Sequence, residues 1–168
     1  MSTPPQKIIL DTGAIPHVDL DFMNKTHFEE IEMVKHVGKL ISNYQEADKP
    51  SSNDTDEMTK ELQEWYEHTV AHFERENDLM RETSFPAYRI HSEEHRNALD
   101  KLKSIVQTWS ENQDIEVVSN YIFDFWPNWF NGHVNTMDMM TANFAAMNGY
   151  GQSQVPQQQL PRCGKGPI

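Results

Sequence analysis

The sequence predicts an all-α protein, an up-down-up-down antiparallel four-helix bundle. Three observations predict it. Apolar residues recur at helical spacing through four long stretches, and polar or proline-containing breaks separate those stretches. No segment alternates apolar and polar residues as a half-buried strand would. Long amphipathic helices joined by short to moderate loops bury their stripes most simply against one another.

The elements follow in order. Residues 1–17 carry Pro and Gly and read as an N-terminal arm. Asp19 or Asp21 is placed to cap a first helix running to about Tyr44. At about 100° per residue, Met23, His27, Glu30, Val34 and Ile41 fall on one stripe of it. Residues 46–57, EADKPSSNDTDE, read as a polar loop. A second helix is expected from about Asp56 to Glu82, with Leu62, Trp65, Thr69, His72, Phe73, Glu76 and Leu79 inward. Ser84-Phe85-Pro86 ends it, because a proline disfavours helical backbone in the residue before it.

The third helix is expected from about Ala87 to Ser110, with His91, His95, Ala98, Leu102, Val106 and Trp109 on its stripe. The fourth covers about Asp114 to Met147. Ile122, Trp126, Trp129, His133, Met137 and Phe144 share its face, and Pro127 predicts a kink or restart. The bundle thus spans 18–147. Residues 148–168 have no apolar period and read as a mobile tail that holds the single cysteine, Cys163.

Composition narrows the function classes. A net charge of −12 disfavours nucleic acid and anionic membrane as partners, since both would repel it. No apolar run is long enough to span a bilayer. The opening MSTPPQKIIL lacks the basic and apolar regions of a secretory signal, so a cytoplasmic protein is expected. One cysteine excludes a disulfide framework and a cysteine-based zinc site.

The histidines do not suit a plain core. His72 and Glu76 stand four apart, as do His91 and His95, and His27 and His133 occupy the inner stripes of the first and last helices. Five imidazoles converging from four helices are costly to bury without partners. A metal centre satisfies them together, and neutral imidazole binds iron, copper and zinc alike. Glu76 and Asp138 add carboxylates able to bridge two ions, and seven donors are too many for one. His133 and Asp138 lie five apart, about 140° on a regular helix, so either the helix widens into a π-like turn or Asp138 reaches in from the flank. His68 is read as flanking the site, while His17 and His36 are read as surface residues.

The pattern of His27, HFERE from His72, HSEEH from His91 and HVNTMD from His133 closely resembles the hemerythrin family, in particular its single-domain bacteriohemerythrins. The resemblance covers about residues 18–147. It implies that His91, His95 and His133 bind one iron, and that His27 and His72 bind a second. Glu76 and Asp138 would bridge the two ions, joined also by an oxo or hydroxo group, with no haem. The second iron would keep an open position for dioxygen, in a dry pocket lined by Phe73, Trp129, Phe130 and Val134.

Reversible binding of dioxygen for storage, delivery or sensing is the function so implied. A redox enzyme acting on peroxide, nitric oxide or a small substrate is the alternative, and an iron-handling protein a third.

One position departs from the family, whose pockets commonly carry a leucine three places after the first-helix histidine. Here it is Glu30, in NKTHFEEIEMV. A buried, ionised carboxylate needs a cation or strong donors. Either Glu30 ligates the more open iron or hydrogen-bonds to one of its ligands, or a small helix rotation takes it to solvent or to Lys25. The loop after the first helix is also long for the family.

Overall fold

The computed structural model describes residues 12–150. Most of the arm and the tail, with Cys163, lies outside that range. Four long helices make the bundle: α1 (Asp21–Glu46), α2 (Ser52–Glu82), α3 (Tyr88–Asn112) and a composite α4 over residues 115–147. No strand is present among the described residues. The links 47–51, 83–87 and 113–114 are too short to run back along a helix such as α2, which has 31 residues and is about 46 Å long. Successive helices are therefore antiparallel.

The helix ends differ from expectation in two places. Neither Asp19 nor Asp21 caps α1. Leu20 holds that position without a side-chain bond, and Asn24 instead ties down the entry segment, donating to Val18 O and accepting from Val18 N, each at 2.9 Å. Ile15, Val18 and Leu20 consequently pack into the core. The second difference is that α2 starts at Ser52, four residues before the expected Asp56. Ser51 and Asp54 form a reciprocal capping box, in which Asp54 N donates to Ser51 Oγ and Ser51 N donates to Asp54 Oδ2. The polar stretch 46–57 is mostly helix for this reason, and the loop shrinks to 47–51.

Two wide turns interrupt α4. Its first segment, Ile115–Asn120, is capped by the Asp114 side chain. A π turn over Tyr121–Phe125 follows, with Trp126 N bonded to Tyr121 O. Pro127 then sits in the first turn of the next segment, Trp126–His133, where a missing N–H matters least. The second π turn, Val134–Asp138, leads into Met139–Met147.

The antiparallel order sorts the bundle into two halves. One half is apolar: Ile41, Met58, Leu62, Leu102 and Val118 are buried there. Trp109 closes it, edge-on to Tyr44 at 5.3 Å and donating Nε1–H to Thr59 Oγ1 at 2.9 Å. The other half contains the early part of α1 and α3 and the late part of α2 and α4, which carry every histidine of the inner stripes. No described helix is long and apolar enough to cross a membrane.

Candidate metal centre

Seven side chains converge in that second half, all of them buried: His27, His72, Glu76, His91, His95, His133 and Asp138. They divide into two donor groups that share Glu76 and Asp138, and within each group the donor atoms lie within 4.8 Å of one another. The first group has three imidazoles. His91 Nε2 and His95 Nε2 are each 3.2 Å from His133 Nε2. Asp138 Oδ1 is 3.0 Å from His133 Nε2 and 3.2 Å from His91 Nε2, and Glu76 Oε2 is 3.2 Å from His95 Nε2. The second group has two imidazoles. His27 Nε2 is 2.9 Å from Asp138 Oδ2, and His72 Nε2 is 2.8 Å from Glu76 Oε1.

The second π turn explains how Asp138 takes part. A regular helix would carry it away from His133, whereas a five-residue turn returns it to the same face.

The outer ring nitrogens are held as well. His95 Nδ1 lies 3.0 Å from Asn77 Oδ1, His133 Nδ1 2.9 Å from Glu94 Oε1, and His91 Nδ1 2.8 Å from Thr141 Oγ1. A carbonyl or carboxylate oxygen only accepts, so His95 and His133 donate through Nδ1, leaving their Nε2 lone pairs to face the centre. Spacing does not single out Asn77, Glu94 and Thr141 in the sequence. Their partners are 18, 39 and 50 residues away along the chain.

This arrangement fits a pair of cations. Lone pairs about 3 Å apart repel unless a positive charge lies between them, and adjacent donors on one ion bound at about 2.1 Å are themselves about 3.0 Å apart. Among the described residues, the buried atoms His27 Nε2, Glu76 Oε2 and both Asp138 oxygens have no hydrogen bond, even where a partner is close. No lysine or arginine among the described residues pairs with these donors, so without a metal only protons offset their charge. Burial disfavours the His133 imidazolium, but Asp138 and Glu94 outweigh it and raise the group to about 10. Burial dominates at His95 and takes it down to about 4, despite Glu76.

Aromatic rings wall the centre. Phe73 stacks on His95 at 4.0 Å, Trp129 stacks on His133 at 4.8 Å, and Phe130 meets His27 edge-on at 5.6 Å. Val134 is fully buried beside them. Trp129 is only half-buried, at the outer edge of this wall.

Glu30 is buried, with 2% of its surface exposed. Lys25 pairs with Glu29 instead. Glu30 Oε1 accepts from Trp65 Nε1 at 2.6 Å and Thr69 Oγ1 at 2.8 Å, and Oε2 lies 2.8 Å from His68 Nδ1. The same Oε2 is 3.6 Å from His72 Nδ1, an ion-pair distance rather than a hydrogen bond. Burial opposes the charge on Glu30, but His68 and His72 hold the group at about 2. His68 flanks the site half-buried, and His17 and His36 are exposed.

A cage of buried imidazoles around two shared carboxylates, built on a four-helix bundle, defines a metal-binding helical protein. Comparison with known proteins gives the family. The model of the hemerythrin HHE cation binding domain matches residues 19–144. The chain is 29% identical to a bacteriohemerythrin of Aquifex aeolicus (strain VF5) over 123 residues, covering 72% of this chain and 86% of that one. It is 30% identical to a bacteriohemerythrin of Ralstonia nicotianae (strain ATCC BAA-1114 / GMI1000) over 82 residues, 49% of this chain and 58% of that one. No solved structure matches. The chain belongs to the hemerythrin family.

Proposed function

We propose that this protein holds two iron ions, bridged by Glu76 and Asp138, and binds dioxygen reversibly for storage, delivery or sensing. The observation that carries the reading is the unequal division of donors. His91, His95, His133, Glu76 and Asp138 offer five atoms to one ion, while His27, His72, Glu76 and Asp138 offer four to the other. With the bridge the resemblance implies, the five-donor group would leave its ion no free position, whereas the four-donor group would leave one for a small molecule. Iron held there would supply redox chemistry toward dioxygen.

The chain's own groups prepare that chemistry. Asn77, Glu94 and Thr141 orient three imidazoles before any metal arrives, so little rearrangement accompanies binding. Phe130 beside His27 and Phe73 beside His72 present apolar surface to the second group, and buried Val134 and the Trp129 ring over His133 continue that wall, which would keep water from the centre. Histidine and carboxylate donors would also accept zinc or manganese, so iron rests on the family.

The test is spectroscopic. Protein loaded with ferrous iron without oxygen is aerated and deoxygenated through several cycles. A visible band that forms on aeration and disappears on deoxygenation supports the reading, and one-way oxidation on first contact with air refutes it. That second outcome would favour a diiron redox enzyme acting on peroxide, nitric oxide or a small substrate. Glu30 is the observation that keeps this alternative, because it puts a carboxylate beside His72.

A further inference from the structure

Glu30 has no role in the donor cage, yet three other side chains hydrogen-bond to it where it is buried. Trp65, Thr69 and His68 together occupy both of its oxygens, so it is not free to swing into the centre. What the clamp achieves is a fixed carboxylate facing one metal-side imidazole, with Oε2 3.6 Å from His72 Nδ1. The string continues outward, since His68 Nε2 lies 3.5 Å from Glu29 Oε2 on the exposed side of α1 and α2. Neither His72 Nδ1 nor His27 Nδ1, the outer nitrogen of the other imidazole of the two-histidine group, makes a hydrogen bond among the described residues. The two ligands of the more open ion are nevertheless not equivalent. Both face carboxylates at Nε2, but among the described residues only His72 has one at ion-pair distance from its outer nitrogen.

We infer that Glu30 is a positioning residue of the metal centre: clamped by Trp65, Thr69 and His68, it fixes His72 with Nε2 toward the metal and lends the two-histidine ion a permanent negative charge. The inference rests on the two-ion reading above. A carboxylate facing the outer N–H of a ligating imidazole makes that imidazole a stronger donor. It also favours the higher oxidation state, because its charge offsets part of the added positive charge at low effective dielectric. The same charge opposes an anion entering the open position. An apolar residue at position 30 would do neither. The centre is thereby biased toward holding the oxidised state and against tight capture of exogenous anions.

The experiment compares iron-loaded parent protein with Glu30→Gln, which keeps the side chain's shape and an acceptor for Trp65 and Thr69. The midpoint potential and azide binding to the oxidised centre are measured in both. The variant should have the higher potential and bind azide at least tenfold more tightly, since one charge within about 12 Å at an effective dielectric near 20 has that effect. A fully loaded variant with unchanged potential and unchanged azide affinity overturns the inference and leaves the two-ion reading standing. Parent protein that retains no pair of irons refutes that reading instead.

A second measurement needs neither iron nor a variant. In zinc-loaded parent protein, the His72 Nδ1 proton should resonate downfield of the His27 Nδ1 proton and exchange more slowly with solvent. Equal shifts and equal exchange would show that Glu30 does not act on His72.

Discussion

Asp138 Oδ1 lies 3.0 Å from His133 Nε2, although the two residues stand five apart on one helix. The π turn between them makes this possible, and the other oxygen, Oδ2, reaches His27 at 2.9 Å. One carboxylate therefore serves both donor groups, whereas His27 serves only one.

Metal content should separate those two roles. His27→Ala is expected to retain about one metal ion per chain, since the five-donor group is untouched. Asp138→Ala should lose both, because each group loses an oxygen and the remaining carboxylate cannot hold the pair alone. Elemental analysis of the two purified proteins checks this. Equal losses in both would contradict the division into two groups.

Metal also ought to stabilise the fold. In its absence, closely spaced imidazoles and two buried carboxylates have only protons to offset their charges. A ligand present at about a thousand times its Kd contributes about 4 kcal/mol, which for a domain of this size is a rise of about 10 °C in Tm. Melting the loaded protein before and after chelation measures it. An unchanged midpoint would mean that the cage is already satisfied without metal.

Two tryptophans donate indole N–H bonds to different acceptors, and their replacement should differ in cost. Trp65 donates to the buried carboxylate of Glu30 and Trp109 to the hydroxyl of Thr59. Beyond the shared loss of packing, Trp65→Phe should cost about 2 kcal/mol for a bond to a charged group and Trp109→Phe about 1 kcal/mol. Urea unfolding of the metal-free proteins, at constant m, gives the comparison. A smaller penalty at Trp65 would argue that Glu30 is not ionised there.

The cap of α2 supplies a pH dependence away from the metal centre. The backbone N–H and hydroxyl of Ser51 donate to Asp54 and hold its carboxyl below the ordinary value of 3.8. A depressed carboxyl contributes stability that is fully present above 3.8 and is lost as the pH falls through the lower, folded value. Asp54→Asn should therefore be less stable than the parent at pH 6, and the gap should close as the pH drops below 3.8. A gap independent of pH would mean that the charge on Asp54 contributes nothing to the cap.

The local features were legible because short-range chemistry produces them. Apolar spacing placed the inner stripes, and Leu62, Trp65, His72, Phe73, Glu76 and Leu79 are all buried as their period requires. Pro86 and the polar run 46–57 marked two of the connections, although the second link is only 47–51. The capping box at Ser51 and Asp54 was equally legible, as a serine followed three places later by an acid, but the run of polar residues around it concealed the helix start.

By itself, the sequence determined the four amphipathic helices, their order, and the five imidazoles and Glu76 that their inner faces present, since all of these follow from residue type and periodicity. Only the tertiary structure decided which of two geometries brings Asp138 to His133, which oxygens face which imidazoles, and what surrounds Glu30. The helical period allowed Glu30 to be a ligand, a partner of a ligand or a surface acid. Trp65, Thr69 and His68 settle its position, and they lie 35 to 39 residues away on another helix. Contacts between helices depend on their relative rotation and on local changes of pitch such as the π turn at Val134–Asp138, and a wheel drawn for one regular helix contains neither.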